Sequence, residues 1–215
     1  MVRNVRVNGP KPDMFLPRHP SVLTLAIAGA LAISLPGAGL AQLFSAEINL
    51  ADLNGQNGFR MNGEAEWDRS GFSVSEAGDI NGDGIGDLII GSRVLDFDDN
   101  RVGRSYVVFG GTTWRPFFSL GGLTTSPDLF PGQVPGFRIR GQAENDFAGI
   151  SVSGAGDIND DGIDDLIIGA DNAGTDGRAY VLFGAVDDFP STFDLTSING
   201  NNGFVIEPDA AGGAL

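Results

Sequence analysis

The feature that most constrains this chain is an internal repeat. Residues 62–91, NGEAEWDRSGFSVSEAGDINGDGIGDLIIG, align without a gap on residues 140–169, RGQAENDFAGISVSGAGDINDDGIDDLIIG. The trailing pieces RSYVVFGG (Arg104–Gly111) and RAYVLFGA (Arg178–Ala185) match as well. Their offset is four residues shorter, which places a four-residue insertion in the first copy near Asp96–Asn100. The leading segment LADLNGQNGF (Leu50–Phe59) returns as LTSINGNNGF (Leu195–Phe204). A chain that repeats at this period is expected to build similar units side by side, each burying the next one's apolar face.

Within each unit, short apolar runs are separated by Gly, Asn and Asp turns. Strands are predicted at Phe59–Met61, Ser73–Ser75, Asp87–Ile90 and Tyr106–Phe109, with equivalents beginning at Phe137, Ser151, Asp165 and Tyr180. No stretch after residue 41 shows sustained helical periodicity. Four antiparallel strands per repeat, with LII and YVVF buried on both faces, predict an all-β chain of propeller blades. A β-sandwich is the runner-up, but it has no reason to repeat at this period.

The first 41 residues read as a signal peptide. Arg3, Arg6, Lys11 and Arg18 form a basic start, Ser21–Leu35 is weakly apolar, and Pro36-Gly37 precedes a small-x-small site at Gly39–Ala41. A retained membrane anchor is the alternative, but the apolar stretch is short and Ala-rich for a span. The expected organisation is a signal peptide over 1–41, a first repeat over 42–121, a second over 122–195, and the start of a third, truncated, over 196–215. The expected location is secreted, periplasmic or cell-surface.

Removing the leader takes away His19 and Lys11, the only His and Lys, and leaves nine Arg against 27 acids. Nucleic acid and anionic membrane surfaces are therefore poor partners. With no Cys either, the exported part cannot build a disulfide, a thiolate metal site, a Ser-His-Asp triad, a Schiff base or a His-ligated zinc. Carboxylate-only chemistry survives, since a glycosidase needs two acids, and Glu64, Glu66, Asp68, Glu144 and Asp146 are candidates. Asp68 and Asp146, however, recur at one place in each unit, which suits a structural turn or an outer metal ligand. The chain is expected not to be an enzyme.

The acidic stretch DINGDGIGD occurs twice in near-identical form. Its donors are Asp79, Asn81, Asp83, Ile85 and Asp87 in the first unit, and Asp157, Asn159, Asp161, Ile163 and Asp165 in the second. Ca²⁺ wants six to eight oxygens, and a tight loop supplies them from alternate side chains with a backbone carbonyl at the seventh position, here Ile85 or Ile163. Gly84 and Gly162 fall at the sixth position, where the chain turns sharply. An EF-hand is excluded because Ile90 and Ile168 stand where its bidentate Glu belongs. The competing reading is an unmetallated Asx-rich turn. Against it, three carboxylates within nine residues repel unless a cation sits between them.

The runs GFSVSEAGDINGDGIGDLIIG and GISVSGAGDINDDGIDDLIIGA, with the trailing YVVFGG and YVLFGA, resemble the FG-GAP repeats that build the seven-bladed propeller at the head of integrin α subunits. The resemblance implies propeller blades, Ca²⁺ in hairpin loops on one face, and an adhesion or protein/glycan interaction role. The family's Phe-Gly is replaced by Gly71-Phe72 and Ala148-Gly149, and its Gly-Ala-Pro by Gly91–Arg93 and Gly169–Asp171. Two units and a beginning do not close a ring of seven. The chain is therefore expected to be a fragment of a longer one, with assembly of several chains or a short stacked array as alternatives. The runner-up function is a non-catalytic accessory propeller of a larger secreted hydrolase, and a purely structural repeat is the third.

The remaining features read as structural. The run DFDDN (Asp96–Asn100) is a solvated loop rather than a third metal site. Trp67 and Trp114 are blade packing or a partly exposed contact rather than a sugar platform. Thr124–Pro135, with three prolines, is a surface connection.

Overall fold

The structure is a computed structural model and describes residues 49–93, 102–125, 134–186 and 189–208. The expected leader, the insertion at Asp96–Asn100, Arg101 and most of the proline-rich connection lie outside the described residues.

The described chain is all-β, with three single 3₁₀ turns at Leu50–Asp52, Leu120–Gly122 and Leu195–Ser197. The strands of the first unit are β1 (Arg60–Asn62), β2 (Ser70–Gly78), β3 (Asp87–Ser92), β4 (Arg104–Val108), β5 (Phe117–Ser119) and β6 (Leu123–Thr124). Those of the second are β7 (Val134–Arg140), β8 (Ser151–Gly156), β9 (Asp165–Ala170), β10 (Arg178–Leu182), β11 (Thr192–Asp194) and β12 (Gly203–Ile206). The β-branched and aromatic cores of β3, β4, β9 and β10 suit positions buried on both faces, as expected from LII and YVV.

Two sheets form the body: antiparallel β2-β3-β4-β7, extended at β7 by the parallel strands β11 and β6, and antiparallel β8-β9-β10-β12. Ile90 pairs with Val74 on one side and Tyr106 on the other, and Tyr106 in turn with Arg138. In the second sheet Ile168 pairs with Val152 and Tyr180, and Tyr180 with Val205. These are the incomplete blades of a propeller. The fourth strand of each sheet comes from the head of the following repeat, so sequence period and sheet are out of phase. Parallel pairings tie the two ends of each unit together: β5 runs along β1, and β11 along β7, while β6 of the first unit pairs in parallel with β7 of the second.

The main core lies between the two sheets. Ala77, Ile80, Ile89, Val107, Phe137 and Ile139 of the first meet Ile168, Tyr180 and Leu182 of the second, closed by Phe193 and Leu195. Phe189 stacks on Phe137 with ring centroids 4.3 Å apart. A second cluster repeats this arrangement one step earlier, with Ile90, Tyr106 and Val108 against Phe59, Met61, Phe118 and Leu120. Each such side chain contributes about 1.5–3 kcal/mol on burial. Where the sheets touch, backbone meets backbone. A Cβ on Gly91 would lie 2.0 Å from the Gly149 carbonyl oxygen, which accepts a 2.9 Å hydrogen bond from Ser73 Oγ.

Candidate metal centre

The two acidic loops are the turns of the β2-β3 and β8-β9 hairpins, so they join strands, as the missing twelfth-position Glu implied. Each begins with an Asp whose carboxylate folds the loop over itself. Asp79 Oδ1 accepts from the Asp83 N–H (2.9 Å) and Oδ2 from the Gly84 N–H (2.8 Å). Asn81 Oδ1 also accepts from Asp83 N–H, and its Nδ2 donates to Asp83 Oδ2 (3.0 Å each). Asp83 Oδ1 accepts from the Ile85 N–H (2.8 Å). The second loop repeats every one of these bonds through Asp157, Asn159, Asp161, Gly162 and Ile163.

The structure thus brings Asp79, Asn81 and Asp83 together at an exposed tip, and Asp157, Asn159 and Asp161 likewise. Asp87 and Asp165 stand at the loop base, fully buried. Asp87 Oδ2 accepts from Ile80 N–H (3.1 Å) and Oδ1 from Gly110 N–H (2.7 Å), tying the loop to the end of β4. Asp165 does the same with Ile158 and Gly184. Burial, with the charges of Asp83 and Asp79 adding to it, pushes the Asp87 carboxyl up to about 6. Ile85 is exposed and Ile163 half-buried at the seventh positions.

Among the described residues no three acidic or imidazole side chains converge as a preassembled metal cluster. The donors are nevertheless all oxygens of the hard type that Ca²⁺ takes, and the loop lies open to solvent around Asp83. A cation would bind Asp79, Asn81 and Asp83 by replacing hydrogen bonds that the loop now makes with itself.

One carboxylate that matters here carries no repeat signal. Asp164 occupies the place that Gly86 holds in the first copy, and its Oδ2 accepts from the Asp79 N–H at 2.8 Å. Gly78, with φ +70°, leaves the room: a Cβ there would lie 2.2 Å from that carboxylate. Only the asymmetry between the copies could have pointed to Asp164.

The other singled-out acids are structural in their geometry. Asp68 accepts from the backbone N–H groups of Glu64, Ala65 and Ser70, and from Ser70 Oγ. It sits between Trp67 and Arg69, both left-handed, as Asp146 sits between Asn145 and Phe147. Glu64 accepts from the Tyr106 hydroxyl and pairs with Arg104 and Arg138. Trp114 stacks on Phe59 at 4.4 Å, whereas Trp67 stands exposed.

Residues 148–182, which run from three residues before β8 to the end of β10 with the second acidic loop between, match the FG-GAP repeat family. The chain carries an FG-GAP repeat. By the gap-free alignment, Ser70 in the first copy corresponds to Ala148, where the match begins. The chain resembles integrin alpha-5 of Xenopus laevis, 32% identical over 143 residues, which are 62% of this chain and 12% of that relative. Phosphatidylinositol-glycan-specific phospholipase D of Bos taurus is 30% identical over 123 residues, 54% of this chain and 13% of the relative. Integrin alpha-PS2 of Drosophila melanogaster is 28% identical over 134 residues, 60% and 8%. The chain therefore spans about an eighth or less of these relatives. No helix among the described residues is long and apolar enough to cross a membrane.

Proposed function

We propose that this chain is an exported, calcium-binding FG-GAP module with an adhesion or protein/glycan interaction role. Ca²⁺ acts structurally: it neutralises Asp79 and Asp83, and Asp157 and Asp161, at the tips of the two hairpins. Asp87 and Asp165 stand behind each tip as buried carboxylates. The observation that carries the reading is the duplication, donor for donor, of the loop's polar set in both units. A bound cation supplies positive charge that the loop's own residues lack, and binding energy becomes folding energy. Extracellular modules of this kind bind Ca²⁺ at roughly 10⁻⁴ to 10⁻³ M, which suits a site filled outside the cell. No residue is assigned a catalytic role.

A second reading, an accessory unit of a larger secreted hydrolase, is favoured by the similarity to a phospholipase D. Both readings share the metal loops. The test is thermal unfolding of the protein across a Ca²⁺ titration, with Asp83→Ala and Asp161→Ala alongside. A rise in Tm that shrinks in each variant is expected. No shift in a folded protein would leave the loops as bare turns.

A further inference from the structure

The open face of the second sheet repeats, position for position, a face that the first sheet buries. Ile80, at 0% exposure, corresponds to Ile158, at 48%. Phe137 (0%) corresponds to Phe204 (38%), and Ile139 (1%) to Ile206 (45%). Fully buried Ile89 corresponds to half-buried Ile167. In the first sheet these side chains are covered by Ile168, Tyr180 and Leu182, with Phe193 and Leu195 across the edge. Beside them, Gly91 receives the Gly149 backbone; its equivalent Gly169, with Ser151 and Ile206, lines an open cleft of about 330 Å³.

The chain itself carries a second set of the covering residues. Ile90, Tyr106 and Val108, with Phe118 and Leu120, are the first-unit equivalents of Ile168, Tyr180, Leu182, Phe193 and Leu195. They are closed by Met61 of β1 and by Phe59 just before it. Among the described residues β1 pairs with β5 alone, over three positions in a two-stranded ribbon. Such a ribbon is marginal by itself. The β1 segment NGQNGFRM and the β12 segment NGNNGFVI are versions of one motif, and β12 belongs to a four-stranded sheet.

We propose that two copies of this chain associate head to tail. The second sheet of one copy docks on the first sheet of the other, and β12 takes the place of β1 along the partner copy's β5. Ile158, Phe204 and Ile206 then cover the Ile90–Tyr106–Val108 face as Ile80, Phe137 and Ile139 cover its twin. The contact is heterologous, so the ends left free can add further copies.

Sedimentation velocity of the full 215-residue chain over a wide concentration range tests this. Mass is expected to rise with concentration. Ile158→Asp and Ile206→Asp change exposed side chains, and each is expected to weaken association about tenfold or more. The register pairs Arg60 with Phe117 in the β1-β5 ribbon. An Arg60→Cys, Phe117→Cys chain is expected to associate when reduced and to stay monomeric when its cross-link holds β1 in place. A monomer at every concentration would overturn the proposal. So would association that survives both Asp substitutions, or that survives the cross-link, which marks a face-to-face dimer.

Discussion

The carboxylate of Asp164 accepts a hydrogen bond from the backbone N–H of Asp79, 2.8 Å away, and so links the second acidic loop to the first residue of the first loop. A charge-assisted bond of this kind contributes about 1.5–3 kcal/mol. In an Asp161→Ala background, where only the first loop keeps its donors, Asp164→Ala is expected to weaken Ca²⁺ binding about tenfold. Isothermal titration measures it. Unchanged affinity would show that the two loops bind independently.

Asp68→Ala should destabilise the fold more than any other single acid-to-alanine change at the turns. It removes the acceptor for three backbone donors and a hydroxyl, and leaves Trp67 and Arg69 left-handed without support. A loss of about 2–4 kcal/mol in urea unfolding is expected by the usual cost of orphaning buried donors.

The buried Asp87 carboxyl makes stability depend on pH. Its folded value of about 6 lies above the 3.8 of an ordinary Asp, so the native state holds the proton more tightly than the unfolded one. The stabilisation is fully present below 3.8 and is lost as pH rises through about 6. In chelator, unfolding free energy is therefore expected to fall over that window, and Asp87→Asn to flatten the fall.

Gly91→Ala and Gly169→Ala occupy one position of the repeat and should differ in cost. The first drives a methyl to within 2.0 Å of a backbone carbonyl of the second unit, while the second meets a Ser151 hydroxyl that can rotate away. About 2 kcal/mol or more is expected for Gly91 and under 1 kcal/mol for Gly169, read from urea midpoints.

Much of this was legible in the repeat. The turn residues and apolar runs located β1 to β4 and β7 to β10 because burial on both faces writes Ile and Val continuously. Strands β5 and β11 were not foreseen: FFS and TFD are three residues each, and they pair in parallel with strands far away in sequence. The loop donors were legible as types, since alternate Asp and Asn are rare outside turns. A second task of Asp87 and Asp165 was not legible: their oxygens also serve backbone amides at the loop base. Asp164 stayed hidden because repetition highlights what two copies share, and it is a difference between them.

Each sheet borrows its last strand from the head of the next repeat. A gene segment one period long can therefore be gained or lost with its breaks at any phase, and every surviving hairpin still meets a closing strand of the right sequence. The stagger also means that no unit can be cut out cleanly at its period boundary. A fragment ending there would show a bare, three-stranded edge, the kind of surface on which unrelated chains nucleate aggregation.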